Sequence, residues 1–225
     1  MDSGVLFEDD VNKINEYLKV HPEDINIVVN IMTPLMHAVF YERIDVIDCL
    51  IEHGCDINFQ NNYGSTALHF ACDWRDISIN RDIIERLIAN GASGLLKNDY
   101  GNTALHNVAA FVNDVNIIHL LLIISDPNSI NKRGRNPLMI GCQWNKNIEI
   151  ISALINVTYD INFQDTRGQT ALFHCCYDNN NHEAMKLLFS SGANPLIQNN
   201  NGKTPHDLAN EEGKRIIDEY LASKK

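Results

Sequence analysis

The sequence predicts an all-α fold, a solenoid of repeated helix-turn-helix pairs. Three observations carry this. A six-residue segment recurs at steps of 33, 37, 33, 34 and 34 residues, and periods of about 20–50 residues signal stacked repeats. The segment opens with Thr33, Thr66, Thr103, Thr170 and Thr204, residues suited to cap a helix. The stretch that follows each copy, such as Ile44-Asp45-Val46-Ile47-Asp48-Cys49-Leu50-Ile51, spaces its apolar residues as a wide buried stripe on a second helix.

Each part of the repeat has its own signature. The first helix opens on Thr33-Pro34-Leu35-Met36-His37-Ala38, Thr66-Ala67-Leu68-His69-Phe70-Ala71 or Thr103-Ala104-Leu105-His106-Asn107-Val108. Later copies read Asn136-Pro137-Leu138-Met139-Ile140-Gly141, Thr170-Ala171-Leu172-Phe173-His174-Cys175 and Thr204-Pro205-His206-Asp207-Leu208-Ala209. Pro34, Pro137 and Pro205 occupy the first turn, where a missing N–H costs nothing. Gly54, Gly91 and Gly192 stand twelve residues before the Thr slot and end the preceding helix. Gly64, Gly101, Gly134, Gly168 and Gly202 stand two residues before that slot and follow polar turn residues, as in Asn201-Gly202.

These signatures resemble the ankyrin repeat, a β-turn followed by two helices with T-P-L-H-x-A opening the first. The resemblance covers nearly the whole chain and keeps register over five periods. It implies a curved stack of helix pairs with β-hairpin fingers projecting to one side. Residues 1–225 are then one domain. Residues 1–30 form an N-terminal capping repeat, with Val11, Ile14 and Leu18 at helical spacing. Residues 31–199 form five repeats, and residues 200–225 a C-terminal capping repeat whose last helix is polar on its outer side. Three departures are expected to show. About four extra residues around Asp76–Asn80 lengthen a loop. Ile124 and Thr158 replace the helix-ending glycine, so those ends should shift. Ile31 replaces the finger glycine in the first full repeat, which weighs against a hairpin there.

Composition narrows the function. The 225 residues hold 18 Lys+Arg against 29 Asp+Glu, a net charge of −11, which argues against nucleic acid and anionic membranes as partners. Residues 1–60 carry 12 acids and 3 bases. They are either a solvated end or an acidic pole that steers a basic partner surface. No secretory signal opens the chain, and the oily run Ile117–Ile124 is too short to span a membrane. The expected location is cytoplasmic, extending to the nucleus, or the host cell for a pathogen factor.

Catalytic and cofactor chemistry is not expected. Phosphate-binding, dinucleotide, nucleophile-elbow and zincin motifs are missing, so the protein reads as a non-enzyme with no cofactor and no metal. Cys55, Cys72, Cys142, Cys175 and Cys176 fall on small, buryable positions of the repeat and read as core packing. His174, Cys175, Cys176 and His182 fit no common zinc spacing. His69 and His106 occupy the histidine slot, whose imidazole, by resemblance, bonds to the backbone of a neighbouring finger.

The informative residues are those the repeat does not dictate. Eight positions after the Thr slot stand Tyr41, Trp74, Phe111 and Trp144, with Tyr177 beside the next such position and Phe40 before Tyr41. Both tryptophans of the chain fall in this column. Adjacent rings should lie about one helix diameter apart, roughly 10 Å, long for stacking. Either they stiffen the stack or they anchor a partner's extended or helical segment, as interface Trp and Tyr do. Finger tips add Tyr63 and Tyr100, and a basic group of Lys132, Arg133, Arg135 and Arg167. The tips are either solvated turns or readers of an acidic segment or phosphate.

By resemblance, the expected function is binding another protein on a concave aromatic face and the finger tips, by a chain that is monomeric alone. Alternatives are a stoichiometric inhibitor or assembly chaperone, and a methyl-lysine reader with an aromatic cage. Abundant Asn and Ile suggest an AT-rich genome, which fits a pathogen factor aimed at host proteins.

Overall fold

The computed structural model describes residues 3–72, 81–176 and 181–224. The loop around Asp76–Asn80, Trp74 and Tyr177 lie outside the described residues. The chain divides into two compact units, Met1–Asp99 and Tyr100–Lys225. Among the described residues the architecture is all-α, with no sheet.

In the first unit, α1 (Val11–Val20) precedes the pair α2 (Pro34–Phe40) and α3 (Ile44–Glu52), then the pair α4 (Ala67–Ala71) and α5 (Arg81–Ala89). The sequence pattern explains the starts of α2 and α4. Thr33 Oγ1 accepts the Met36 N–H at 3.2 Å, which satisfies one of the donors a helix start leaves open. Thr66 Oγ1 lies 2.9 Å from His69 Nδ1, which also accepts the Thr66 N–H at 3.2 Å. α2 packs on α3 and α4, and α1 on α3. Ile14, Leu18, Leu35, Ile47, Leu50, Leu68, Ile84 and Leu87 are buried between them.

The second unit repeats the scheme. Its inner helices are α6 (Ala104–Phe111), α8 (Pro137–Trp144), α10 (Ala171–His174) and α12 (Pro205–Leu208). Its outer helices are α7 (Val115–Ile124), α9 (Ile148–Val157), α11 (His182–Ser190) and α13 (Glu211–Ser223). α6 packs on α8 and α8 on α10, while α7 packs on α9 and α9 on α11. This is the repeat solenoid that the periodicity predicts. All six cysteines are buried free thiols. Burial, then the charge of Asp56, pushes Cys55 up to about 12. Burial and Cys142 do the same for Cys176, which leaves both as inert packing groups.

The outer-helix ends diverge as expected. Gly54 ends α3 in the left-handed region at φ 77°. α7 and α9, lacking that glycine, run ten residues and leave through extended backbone at Ser125 and Thr158.

The fingers are simpler than β-hairpins. Two of the later fingers show the scheme: a bond across the base, from Asn131 N to Arg135 O at 3.0 Å and from Asp165 N to Gln169 O at 2.9 Å, and one inside the turn, from Gly134 N to Asn131 O and from Gly168 N to Asp165 O, both at 2.9 Å. A side-chain oxygen clasps the turn from inside. Asn131 Oδ1 accepts the N–H of Arg133 at 2.9 Å and of Arg135 at 3.1 Å. Asn61, Asp165 and Asn199 do likewise in their own fingers. The first finger corrects the expectation from Ile31. A tight turn forms there, with Val29 and Met32 exchanging backbone hydrogen bonds of 2.9 and 3.1 Å. Asn30 and Ile31 adopt φ of 48° and 72°.

Candidate interaction surface

Tyr41 closes α2 with its ring exposed, yet it is not loose. It meets the Phe40 ring edge-on at 5.0 Å and the His37 ring at 4.6 Å, with the Arg43 guanidinium 4.9 Å over its face. Burial, and then Arg43, lowers the pKa of His37. A second Arg43 contact joins it to Asp9. Tyr63 is exposed on a finger tip of the same unit.

In the second unit, Phe111 and Trp144 end α6 and α8 and are 44% and 53% exposed. Their ring centroids lie 6.4 Å apart at 34°, inside the range in which aromatic rings attract. The expected spacing of roughly 10 Å is therefore corrected. Long side chains lean along their helix, so rings come closer than helix axes do. The pair is mutually supported and still presents an open face.

The finger tips of this unit are tied in register. Lys132 N donates to Tyr100 O at 3.0 Å, Thr166 N to Arg133 O at 3.1 Å, and Asn200 N to Arg167 O at 3.0 Å. Tyr100, Lys132, Arg133 and Arg167 are exposed. Arg135 is not among them, and this corrects its assignment to the basic tips. It is 6% exposed, with Nε 3.2 Å from Asp165 Oδ2 and Nη1 donating to Gln143 Oε1 at 2.5 Å. Standing after Gly134, it lies where the chain turns back from the tip toward α8, so its side chain enters the base of the finger.

Asp165 is the centre of that buried group. Burial alone would raise its pKa. Hydrogen bonding from His174 and from the Gln169 and Arg167 N–H groups outweighs burial and holds it at about 2. The histidine slot behaves as a tie between repeats. His106 Nδ1 accepts the Thr103 N–H at 3.2 Å, and Nε2 lies 3.0 Å from Arg135 O in the next finger. Asparagines make further ties. Asn162 receives the Asn194 N–H at 2.8 Å and donates to Gly192 O at 3.2 Å. Asn145 donates to Ala109 O and Val112 O at 3.2 and 2.8 Å.

Among the described residues no cluster of His, Cys, Asp and Glu is arranged to hold a metal ion. No described helix is long and apolar enough to cross a membrane.

The sequence family described as ankyrin repeats, in three copies, matches residues 6–93, 77–165 and 142–225. A fowlpox virus ankyrin repeat protein is 51% identical over 35 residues, 16% of this chain and 8% of its own length. Human neurogenic locus notch homolog protein 1 is 31% identical over 181 residues, 79% of this chain and 5% of its own length. The chain thus spans less than a tenth of either relative. The crystal structure of the ankyrin repeat domain of Bcl-3, a member of the IkappaB protein family, superposes with a TM-score of 0.74. The two are 21% identical, and the match covers 98% of this chain and 96% of that one. This likeness is one of fold.

Proposed function

The chain belongs to the ankyrin repeat family, and from that premise we propose that it binds a partner protein along the inner-helix face and the finger tips, without catalysis. Ankyrin repeats generally mediate protein–protein interaction, and the fold itself is a non-catalytic scaffold. The observation that carries the reading is the Phe111–Trp144 pair, held at 6.4 Å while both rings remain exposed. Exposed aromatic surface held in place loses little entropy when a partner covers it. Tyr41 offers a second fixed ring in the other unit, and Tyr63 and Tyr100 extend the aromatic surface to the tips.

The test is capture from whole-cell lysate with the wild-type chain and a Phe111→Ala/Trp144→Ala variant matched by circular dichroism. Loss of a partner from the variant, with about 2 kcal/mol or more of affinity, is the expected result. An identical captured set would overturn the ring pair as an anchor. The 6.4 Å spacing also meets the proximity an aromatic cage needs, so a trimethyl-lysine peptide is the probe for that second reading. Binding that needs the methyl groups would favour the cage over a broad protein interface.

A further inference from the structure

The cations at the finger tips of the second unit stand apart from the others in the chain. Among the described residues, Arg43, Arg81, Arg86, Arg135 and Arg215 each pair with a carboxylate. Arg133 and Arg167 have no such partner among the described residues, and they sit on consecutive tips whose backbones are hydrogen-bonded in register. Lys132 and Lys203 extend the same exposed strip. Residues 129–136 and 197–204 contain no acid, and residues 163–170 contain only Asp165. That carboxylate is buried and committed to Arg135, His174 and two backbone N–H groups. Nearby Asp207 is engaged by the Thr204 N–H and hydroxyl at 2.8 and 3.0 Å. In a chain of net charge −11, the acids beside this strip are engaged by other groups, and Arg133 and Arg167 lack a carboxylate partner among the described residues.

We propose that the tips carrying Lys132, Arg133, Arg167 and Lys203 form a docking strip for an acidic, extended segment of a partner protein. The inference rests on the protein-binding reading above and adds the chemistry of the partner. Arginine presents a planar fork that matches a carboxylate in two parallel hydrogen bonds. Stacked helix pairs repeat at roughly 10 Å, which sets the step between tips. A polyproline-II segment has three residues per turn and rises about 3.1 Å per residue. Acids at every third residue therefore share one face and recur about every 9 Å, close to the step of the fingers. Regular hydrogen bonding between fingers keeps the tips at a fixed pitch, so the strip reads spacing as well as charge. The chain's net charge of −11 disfavours close approach to a broad polyanion such as nucleic acid or an anionic bilayer.

The probe is a labelled twelve-residue peptide of prolines with glutamate at every third position, followed by fluorescence anisotropy against the full chain. The expected result is salt-sensitive binding that weakens at least tenfold in Arg133→Glu/Arg167→Glu and several-fold in Arg133→Gln/Arg167→Gln. The same peptide with lysine for glutamate should not bind. Circular dichroism melts verify that these exposed substitutions leave the fold intact. Equal binding by wild type and both variants, or no binding by wild type, would overturn the proposal. Binding of phosphatidylserine vesicles or inorganic phosphate in place of the peptide would overturn it as well. If the peptide fails while lysate capture still depends on the rings, the strip falls and the protein-binding reading stands.

Discussion

The first finger and the later ones solve the same problem with different means. In the finger of residues 163–170, Asp165 clasps two backbone N–H groups and Gly168 takes the left-handed position at φ 73°. The turn of residues 29–32 has neither a clasp nor a glycine, and it places the β-branched Ile31 at φ 72°. The left-handed region is costly for such a residue. The later fingers are therefore built by their own side chains, whereas the first is held by its surroundings. One such hold is visible, since Asn61 Nδ2 donates to Ile31 O at 2.6 Å.

If the clasp is what builds a later finger, removing it should be the most damaging change. Asp165→Ala takes away two turn hydrogen bonds and leaves the Arg135 guanidinium buried without its carboxylate. The expected loss is about 3–5 kcal/mol in urea unfolding. Asp165→Asn keeps an oxygen for the turn, as Asn61, Asn131 and Asn199 do, and should lose at least about 1 kcal/mol less. Acid separates the charge from the clasp. The folded pKa of about 2 lies below the ordinary aspartate value of 3.8, so Asp165 adds stability above pH 4 that disappears as pH falls toward 2. That contribution is about 2 kcal/mol. It should be missing from the pH profile of Asp165→Asn. A variant that unfolds in acid as the wild type does would show that the charge contributes nothing.

The glycines sharpen the comparison at an intermediate level. A Cβ at Gly101 would lie 2.7 Å from the Lys132 backbone nitrogen, whereas one at Gly202 would meet nothing within 4 Å. Both have similar φ, 76° and 70°. Gly202→Ala should cost about 1 kcal/mol, the strain of a left-handed alanine. Gly101→Ala should cost about 1–2 kcal/mol more, because the backbone of the next finger must also move. Thermal unfolding of the two variants measures the difference, and equal losses would mean that the fingers do not pack tightly.

Much of this was legible in the sequence because it recurs. The Thr slots mark the helix starts, and Ile124 and Thr158 mark the two helices that end without glycine. An Asn or Asp stands equally periodically three residues before each finger glycine, at Asn61, Asn98, Asn131, Asp165 and Asn199, but both are ordinary turn residues and the spacing alone does not signal a clasp. Abundant asparagine suggests genome composition, yet Asn145 and Asn162 tie one repeat to the next. Arg135 misled for a different reason. One residue separates a tip from a base, and only its pairing with Asp165, thirty residues away, distinguishes the two. The repeat period sets the helix axes and not the lean of side chains, so it overstates the spacing of the rings.

The smallest expected effect probes the first finger directly. Ile31→Gly would convert Asn30-Ile31 into Asn-Gly, the pair favoured where both central residues of a two-residue turn have positive φ. Strain of about 1–2 kcal/mol is relieved, and the greater freedom of glycine in the unfolded chain takes back about 0.5–1 kcal/mol. Ile31 is 44% exposed, so only part of its apolar surface is lost, and the Asn61 bond to its carbonyl needs no side chain. Net stabilisation of about 0.5 kcal/mol is expected in urea unfolding. Destabilisation would mean that the buried part of the Ile31 side chain, rather than the surrounding backbone, holds the turn, and the contrast between self-built and imposed fingers would fail.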